Sequence, residues 1–237
     1  MGMKLTNNKI LITGGATGIG LGLAERFIKD NNTVIICGRR ESALKAVPNV
    51  ISRVCDVSVE ADRTALYEWI KNEHPDLNVL VNNAGVQNWM NVTDDDFYEK
   101  ASNEIDINVL APVHLASLFL QLPSLDTIIN VTSGLAFTPF SKVPVYCATK
   151  AFLRSFTISL RHLLKGKVEV IEMIPPAINT GLGGPGVHDN LPSVGEFVEA
   201  VFAQLKEGKV ELTFGTSEPR ARANNESIAE YLSKLNP

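Results

Sequence analysis

Short runs of β-branched and other apolar residues recur along the chain, and turn residues bound each run. Most runs lack the polar alternation of a strand with one solvated face, so they predict strands buried on both faces. Segments with helical spacing lie between them, for example the one that contains Leu23 and Phe27. This alternation predicts an α/β fold in which a doubly wound parallel sheet carries helices on both faces. The predicted strands lie at Ile10–Ile12, Val34–Ile36, Val50–Ile51, Val79–Val81, Ile128–Val131 and Val168–Ile171.

The length of the chain predicts a single domain over residues 1–237. A chain of 237 residues can form one hydrophobic core and lies below the length at which chains usually split. No linker, repeat or low-complexity tract in the sequence suggests a second unit. The glycine-rich segment at about 181–193 follows the last predicted strand, so it is either a substrate-binding loop or a plain flexible loop. A helical tail is predicted at about 224–236, either packed or frayed.

Charge and hydropathy argue against two classes of protein. The formal net charge is −4 and the sequence pI is about 5.6, which argues against affinity for nucleic-acid phosphates. The longest apolar run, Val109–Leu122, is interrupted by polar residues and falls short of the roughly 18 residues that a membrane span needs. No apolar signal core follows the N-terminus, so we expect a cytoplasmic protein.

Three widely spaced cysteines, without CxxC spacing or a paired histidine, predict reduced thiols and no metal site.

A glycine-rich turn, Thr13–Gly20, joins the first predicted strand to the first predicted helix. Its glycines permit a tight turn, close approach of the backbone to a pyrophosphate, and close packing of helix on strand. Because a strand precedes the turn and a helix follows it, the segment predicts a dinucleotide site of the Rossmann type, with a ligand-free turn as the alternative. A P-loop is disfavoured, because no Gly-Lys-Ser/Thr sequence follows. The predicted cofactor contacts are Gly14, Ala16, Thr17, Gly18, Ile19 and Gly20.

The end of the second predicted strand favours NADP(H), although NAD(H) is possible. An NAD-type site has an acidic residue there for the ribose 2′-hydroxyl, whereas a 2′-phosphate is repelled by a carboxylate and held by arginine. Here that position is Gly38, and Arg39 and Arg40 follow it. The alternative is that both arginines only solvate a helix start, although the helix dipole disfavours cations there. Asp56, with Val57 beside it, either reaches the adenine edge or neighbours the N-cap of the next helix.

Tyr146 and Lys150 lie four residues apart, which places a phenol and an ammonium group on one face of a helix. The spacing alone is weak, because Tyr67 and Lys71 share it. Only the first pair follows a serine at a predicted strand end, Ser133, at the edge of the sheet where ligands bind. We therefore interpret Tyr67 and Lys71 as an amphipathic helix surface, and the other three residues as a candidate catalytic group.

Five ordered motifs resemble those of the short-chain dehydrogenase/reductase family, over about residues 8–180. They are the glycine-rich turn, Asn82-Asn83-Ala84-Gly85 after the fourth strand, Asn108 in a following helix, Ser133, and Tyr146 with Lys150. The resemblance implies that Tyr146 exchanges a proton with a substrate oxygen that Ser133 holds. It also implies that Lys150 binds the nicotinamide ribose and lowers the pKa of Tyr146, and that Asn108 positions a water in a proton relay. The cofactor contacts that it implies further along the chain are Asn82, Asn83, Ala84, Gly85, Tyr146 and Lys150.

The segment after the sixth predicted strand departs from the family pattern, because Pro176 stands where the family usually has glycine. This proline keeps φ negative and removes one backbone donor. The resemblance still implies that Pro176, Ile178 and Thr180 lie at the nicotinamide end of the cofactor. This variant is similar to the branch of the family that includes DltE-type oxidoreductases, whose substrates are poorly defined.

Several apolar residues near the candidate catalytic group are either core or the lining of a pocket. If they line a pocket, an apolar or aromatic ketone, or the matching alcohol, fits better than a charged metabolite. The predicted lining residues are Leu135, Phe137, Phe140 and Leu182. The family resemblance also implies a homodimer or homotetramer that pairs through helices at about 103–122 and 145–165.

Two functions fit these features. The first is an NADP(H)-dependent oxidoreductase, a carbonyl reductase or alcohol dehydrogenase, that moves hydride between nicotinamide and a small-molecule carbonyl or secondary alcohol. The second is a non-catalytic NADP(H)-binding sensor or scaffold, which the intact Ser133, Tyr146 and Lys150 disfavour. A serine hydrolase is excluded, because the sequence has no Gly-x-Ser-x-Gly elbow and its histidines show no nucleophile partner.

Overall fold

The computed structural model describes residues 2–236, and within this range seven strands form one parallel sheet. The strands are β1 Lys9–Thr13, β2 Thr33–Gly38, β3 Ile51–Val54, β4 Val79–Asn82, β5 Thr127–Val131, β6 Glu169–Ile174 and β7 Glu211–Thr213. Their order is β3-β2-β1-β4-β5-β6-β7, and every neighbouring pair is parallel. This topology confirms the predicted doubly wound sheet. The chain reverses its direction of winding between β1 and β4, and ligands bind at such a switch point.

Helices cover both faces of the sheet and divide the core into two layers. The helices of the described residues are α1 Gly18–Lys29, α2 Glu41–Lys45, α3 Glu60–Glu73, α4 Phe97–Ile105, α5 Ala111–Phe119, α6 Pro144–Leu163, α7 Val194–Lys206, α8 Ser217–Ala221 and α9 Asn225–Leu235. On one face α1 packs on α7, where the rings of Phe27 and Phe202 meet edge-on with centroids 4.8 Å apart. On the other face α3 and α5 bury apolar residues such as Leu66 and Phe119.

The short edge strand β7 is absent from the sequence prediction. Only one of its three residues, Leu212, is buried, so no apolar run marks it. Arg161 of α6 holds the strand in place: its Nε donates to the Val170 carbonyl at 2.8 Å, and its Nη1 lies 3.2 Å from Glu211 Oε1. Long-range ion pairing of this kind has no signature in local sequence.

The predicted amphipathic surface at Tyr67 and Lys71 is wrong for Tyr67. Lys71 is exposed, but Tyr67 is buried, and its ring packs edge-on against Phe119 with centroids 5.6 Å apart. Tyr67 faces α5, and burial of a large ring between two helices is favoured by the apolar area removed from water.

No helix among residues 2–236 is long and apolar enough to cross a membrane. The three cysteines are buried free thiols: Cys37 lies in β2, Cys55 directly follows β3, and Cys147 lies in α6. In the same part of the chain, no group of three or more histidine, cysteine and acidic side chains is arranged to hold a metal ion.

A buried ion pair links β6 to α6. Glu172 is fully buried; its Oε2 accepts a hydrogen bond from Arg154 Nη1 at 2.6 Å, and its Oε1 accepts one from Thr132 Oγ1 at 2.8 Å. Burial raises the pKa of Glu172, and the charge of Arg154 opposes this rise. The pair lies beside the candidate catalytic group, because Thr132 directly precedes Ser133.

Arg154→Met should lower the free energy of unfolding by roughly 3–5 kcal/mol near pH 7, because it leaves the Glu172 carboxylate buried without its cation. The loss should shrink toward pH 5. A carboxyl group whose pKa is raised in the folded chain stabilises the fold when protonated and loses that contribution as the pH rises through the folded pKa. Chemical unfolding at both pH values measures the effect. Lys165→Met, which removes an exposed cation just beyond α6, is the control, and equal losses in the two variants would contradict this account.

Candidate active site

The glycine-rich turn forms a tight cradle at the start of α1. Gly14 has a φ of 65° and Gly18 a φ of 53°, conformations that other residues rarely adopt. A Cβ on Gly20 would lie 2.4 Å from the Gly14 carbonyl oxygen, so the turn closes only with glycine there. The residue before α1, Thr17, makes no side-chain capping bond within the described chain. The first N–H groups of α1 are therefore available to an anion, which fits a pyrophosphate.

The side chain of Thr13 joins this cradle to the segment after β4. Its Oγ1 accepts hydrogen bonds from the N–H groups of Asn83 and Ala84, both at 3.0 Å, and donates to the Val81 carbonyl at 3.3 Å. Asn83 Nδ2 donates to the Thr13 carbonyl at 2.8 Å. The two loops at the switch point are thus one hydrogen-bonded unit. Thr13 is a positioning residue that motif spacing does not reveal.

Asn82 and Gly85 face different parts of the molecule. Asn82 is buried, and its Nδ2 donates to Asn130 Oδ1 on β5 at 2.9 Å, so its side chain lies inside the fold. Any contact of Asn82 with a cofactor would therefore come from its main chain. Gly85 lies over the candidate catalytic group, because a Cβ there would be 3.3 Å from Asn108 Oδ1 and 3.5 Å from Lys150 Nζ. Glycine at this position leaves room beside both side chains.

Arg39 and Arg40 lie exposed just beyond β2, and neither has an ion-pair partner among the side chains that the structure describes. Cations are unfavourable beside the N-terminus of α2, so a bound anion would stabilise them. Asp56 is engaged locally, because its Oδ1 accepts hydrogen bonds from Ser58 N at 2.9 Å and Ser58 Oγ at 2.7 Å. This geometry favours a turn-forming role for Asp56 over a contact with adenine. Val57 is buried beside it.

Ser133, Tyr146 and Lys150 lie together beyond the carboxyl end of β5, and each is no more than 6% exposed. Lys150 Nζ lies 5.7 Å from the centre of the Tyr146 ring and donates to the Val131 carbonyl at 2.8 Å. Ser133 Oγ accepts from the N–H of Leu135 at 3.1 Å, which fixes the hydroxyl at the start of a short 3₁₀ turn. The Ser133 hydroxyl proton can be donated either to the Tyr146 oxygen or to a ligand.

Burial raises the pKa of Tyr146, and a hydrogen bond with the Ser133 hydroxyl partly offsets that rise. Burial also lowers the pKa of Lys150 to about 8. Because the phenol is desolvated and Lys150 Nζ donates to the Val131 carbonyl, the pKa of Tyr146 lies above its ordinary value in this structure. Near neutral pH Tyr146 is a phenol, which suits a proton donor.

Asn108 lies in a π-helical turn, Asp106–Leu110, between α4 and α5. Its side chain is engaged: Oδ1 accepts from the Val86 N–H at 2.9 Å, and Nδ2 donates to the Val86 carbonyl at 2.8 Å and to Thr149 Oγ1 at 3.1 Å. In an α-helix, position 112 would donate to the Asn108 carbonyl, but Pro112 has no N–H. The backbone carbonyl is therefore the group of Asn108 best placed to bind a water.

The segment after β6 returns to the glycine cradle. Thr180 Cγ2 would lie 3.4 Å from a Cβ on Gly18, so the two segments touch. The Ile178 side chain is buried in the core, so only its main chain could contact a ligand. Pro176 is half-buried. Two further predicted cofactor contacts pack half-buried against the same core, namely Ala16 and Ile19.

The surroundings of Tyr146 are apolar and include three of the four predicted lining residues. These three pack half-buried against Tyr146, Val143 and Cys147, and they are Leu135, Phe140 and Leu182. Phe137 is the exception: its ring lies under the guanidinium group of Arg154, 4.1 Å from ring centre to Cζ. One face of the Phe137 ring is therefore occupied by the Arg154 cation.

Trp89 connects the segment after β4 to the glycine-rich segment 181–193. Its Nε1 donates to the Gly183 carbonyl at 2.9 Å, and its ring meets Phe140 edge-on with centroids 5.8 Å apart. Gly183 and Gly184 have φ values of 78° and 125°, backbone conformations that residues other than glycine rarely adopt, and the segment bends at these positions. The bend carries Leu182 toward Tyr146. Trp89 lies in an irregular segment, where periodicity gives no signal.

Known proteins resemble this chain over most of its length. A sequence profile described as short chain dehydrogenase matches residues 8–190. The chain is 48% identical over 227 residues to the uncharacterized oxidoreductase DltE of Bacillus subtilis (strain 168), with 89% of each protein covered. It is 30% identical over 182 residues to the NADP-dependent 3-hydroxy acid dehydrogenase YdfG of Salmonella typhi, with 73% of each covered. Its fold matches the crystal structure of a short chain dehydrogenase from Burkholderia cenocepacia J2315 in complex with NADP, with a TM-score of 0.86, 26% identity, and 99% and 100% of the two chains covered.

The chain therefore belongs to the short-chain dehydrogenase family, a family of oxidoreductases. Its similarity to DltE confirms the resemblance to that branch.

Proposed function

We propose that this chain is an NADP(H)-dependent oxidoreductase that transfers hydride between the nicotinamide and a carbonyl or secondary alcohol. The observation that carries the proposal is the burial of Ser133, Tyr146 and Lys150 side by side, at the sheet edge that also holds the glycine cradle. A protein that only bound the coenzyme would have no use for a buried phenol and ammonium pair, since burying such groups is unfavourable. Of the two proposed functions, a non-catalytic sensor or scaffold is therefore the less favoured.

The side chains have distinct tasks in carbonyl reduction. When bound, the nicotinamide supplies the hydride. The Ser133 hydroxyl donates a hydrogen bond to the carbonyl oxygen, and Tyr146 donates its proton to the same oxygen as negative charge develops there. The apolar side chains around Tyr146 exclude water, which strengthens both hydrogen bonds. In alcohol oxidation the same groups take up the proton.

Lys150 and Asn108 are proposed to restore the proton to Tyr146. The Lys150 ammonium group lies close enough to the phenol ring to stabilise a transient phenolate and to bind the ribose hydroxyls. A water on the Asn108 carbonyl would pass protons to Lys150; the side chains of the two residues both border Gly85 and so lie close together.

Tyr146→Phe should lower NADPH-dependent ketone reduction by roughly 10²–10⁴-fold and retain NADPH binding, because it removes only the transferable proton. Absorbance of NADPH measures turnover, and fluorescence titration measures binding. Tyr67→Phe is the matched control, since Tyr67 also precedes a lysine by four residues but packs on Phe119. Turnover of Tyr146→Phe equal to that of the unmodified chain would refute the catalytic role.

NADP(H) is the proposed cofactor because two exposed arginines, Arg39 and Arg40, follow the non-acidic Gly38 at the end of β2. The names of two similar proteins agree, since YdfG is called NADP-dependent and the Burkholderia structure contains NADP. NAD(H) fits the same cradle but has no 2′-phosphate for the arginines.

The double variant Arg39→Ala, Arg40→Ala should raise the KM for NADPH by roughly 10–100-fold, because charge-assisted hydrogen bonds to the 2′-phosphate are lost. The KM for NADH should stay nearly unchanged. Steady-state kinetics with both coenzymes measures the difference. Arg53→Ala removes an exposed arginine of β3 that stacks on Trp69, and serves as the control. A lower KM for NADH than for NADPH in the unmodified chain would contradict the assignment.

An apolar or aromatic ketone is the first proposed substrate class, because Leu135, Phe140 and Leu182 surround Tyr146. A substrate that carries a carboxylate is the second. Arg220 of α8 has no ion-pair partner among the described side chains, and burial lowers its pKa. Its Cδ would lie 3.6 Å from a Cβ on Gly134, the residue directly after Ser133. YdfG, a similar protein, is named a 3-hydroxy acid dehydrogenase.

NADPH oxidation with an aryl methyl ketone and with a 3-oxo acid should separate the two substrate classes. Faster turnover of the ketone, with no effect of Arg220→Met, is the expected result, because the side chains that contact Tyr146 are apolar. Faster turnover of the acid, with a KM that Arg220→Met raises by roughly tenfold or more, would overturn the first class and establish the second. Arg222→Met, next to α8 and exposed, is the control.

We also propose a homodimer or homotetramer and a cytoplasmic location. Large apolar side chains are exposed on the helices expected to pair, which supports association. They are Ile105, Leu110, Phe152, Ile158 and Leu163. The three buried free thiols are in keeping with a reducing compartment.

A further inference from the structure

Asn236, the residue that follows α9, binds the irregular segment that leads into α6. Its Nδ2 donates to the Pro139 carbonyl at 3.2 Å, and its Oδ1 accepts a hydrogen bond from the Ser141 N–H. Nδ2 also donates to the Leu232 carbonyl at 2.9 Å, which fixes the carboxamide to the last turn of α9. Asn236 lies outside residues 8–190, the part of the chain that the short chain dehydrogenase profile matches. The family profile therefore does not account for this pairing.

The opposite edge of the same segment is bound by the thiol of Cys147. Cys147 Sγ accepts a hydrogen bond from the Phe140 N–H at 3.2 Å and donates to the Phe140 carbonyl at 3.7 Å. In an extended chain the N–H and C=O of one residue point to one side, and the C=O before it and the N–H after it point to the other. Asn236 thus binds the edge that Cys147 leaves open, and the backbone around Phe140 is held from two directions.

Phe140 is the residue of this segment that packs beside the candidate catalytic group. Pro139 and Ser141 are exposed, whereas Phe140 is half-buried and packs against the cluster that contains Tyr146 and Cys147. Because the two neighbouring side chains face solvent, their packing contributes little to the position of the ring. The backbone hydrogen bonds on either side of Phe140 are the contacts that fix it.

Trp89 is a neighbour against which the position of Phe140 can be measured. The two rings meet edge-on, with centroids 5.8 Å apart. Trp89 is fixed independently of Phe140, because its Nε1 donates to the Gly183 carbonyl at 2.9 Å. The residue before it, Asn88, donates its N–H to Oε1 of the buried Glu104 at 2.5 Å. A displacement of Phe140 would therefore change the surroundings of the indole.

We propose that Asn236 is a positioning residue of the substrate site: by holding Pro139 and Ser141, it sets the place of the Phe140 ring and so the fit of an aromatic substrate beside Tyr146. This inference rests on the proposed function, which places a substrate there. A ring that is already fixed loses less conformational freedom when a substrate packs on it, so binding is tighter. A substrate too small to reach Phe140 gains nothing from Asn236.

Fluorescence of Trp89 tests the positioning without a substrate. The chain has two tryptophans, so Trp69→Phe leaves Trp89 as the reporter. In that background, Phe140→Ala defines the emission maximum and the acrylamide quenching of Trp89 without its neighbour. Asn236→Ala should shift both quantities toward those of Phe140→Ala, because the backbone of the segment is released on one edge. Lys234→Ala, which changes an exposed residue of α9, is the control and should leave both unchanged.

Steady-state kinetics tests the consequence for the substrate. Asn236→Ala should raise the KM for an aryl methyl ketone by roughly 3–10-fold, because the ring that packs on the substrate is no longer fixed. The KM for acetone, which is too small to reach Phe140, should change by less than about twofold. The kcat should fall less than the KM rises, since Ser133, Tyr146 and Lys150 are left in place. Lys234→Ala should show neither effect.

Trp89 emission and quenching in Asn236→Ala equal to those of its parent would overturn the proposal, and so would an equal rise in KM for both ketones. If Asn236→Ala does not fold, Asn236→Leu, of similar size but without donor or acceptor, replaces it with the same expected shifts. Loss of cooperative thermal unfolding in both variants would also count against the proposal, since Asn236 would then be needed for the fold itself. The fluorescence reading needs neither substrate nor coenzyme, so a failure of the proposed oxidoreductase activity and a failure of this inference give different results.

Discussion

One hydroxyl group, that of Thr13, ties the two halves of the site together. It accepts from two N–H groups of the segment after β4 and donates to the Val81 carbonyl. The glycine cradle stands on β1, and Gly85, which borders Lys150, belongs to the segment that Thr13 holds. Asn83 and Ala84 are half-buried, and unpaired N–H groups there would be unfavourable, so these bonds hold the cradle at a fixed spacing from the candidate catalytic side chains.

Much of the fold follows from sequence because its signals are local. Buried parallel strands are short apolar runs, and the glycine-rich turn needs positive φ at Gly14 and close approach at Gly20, which only glycine permits. β7 has no such signal, since it depends on Arg161, fifty residues before Glu211, to which it pairs. The π-helical turn around Asn108 does have a local cause, the missing N–H of Pro112, but its position relative to Lys150 is a tertiary property.

The same distinction between local sequence signals and long-range contacts applies to the candidate site. Motif order brings Ser133, Tyr146 and Lys150 to one edge of the sheet, yet it does not show which way neighbouring side chains face. The Asn82 side chain turns inward to Asn130, and the Phe137 ring carries the Arg154 guanidinium group on one face, since each finds a partner from another element. Glu104 belongs to no motif in the sequence, and only the structure shows that its carboxyl group is fully buried on α4. Long-range partners decide orientation, and periodicity carries no information about them.

The contact of Trp89 with segment 181–193 has a consequence for how often the site is open. Swinging this segment away breaks one indole hydrogen bond, at about 1 kcal/mol, and exposes the covered part of Leu182, at about 1–2 kcal/mol. A difference of about 2–3 kcal/mol leaves roughly one molecule in a hundred open at any moment. Because Leu182 packs against the cluster that contains Tyr146, the same opening would also expose the phenol to water.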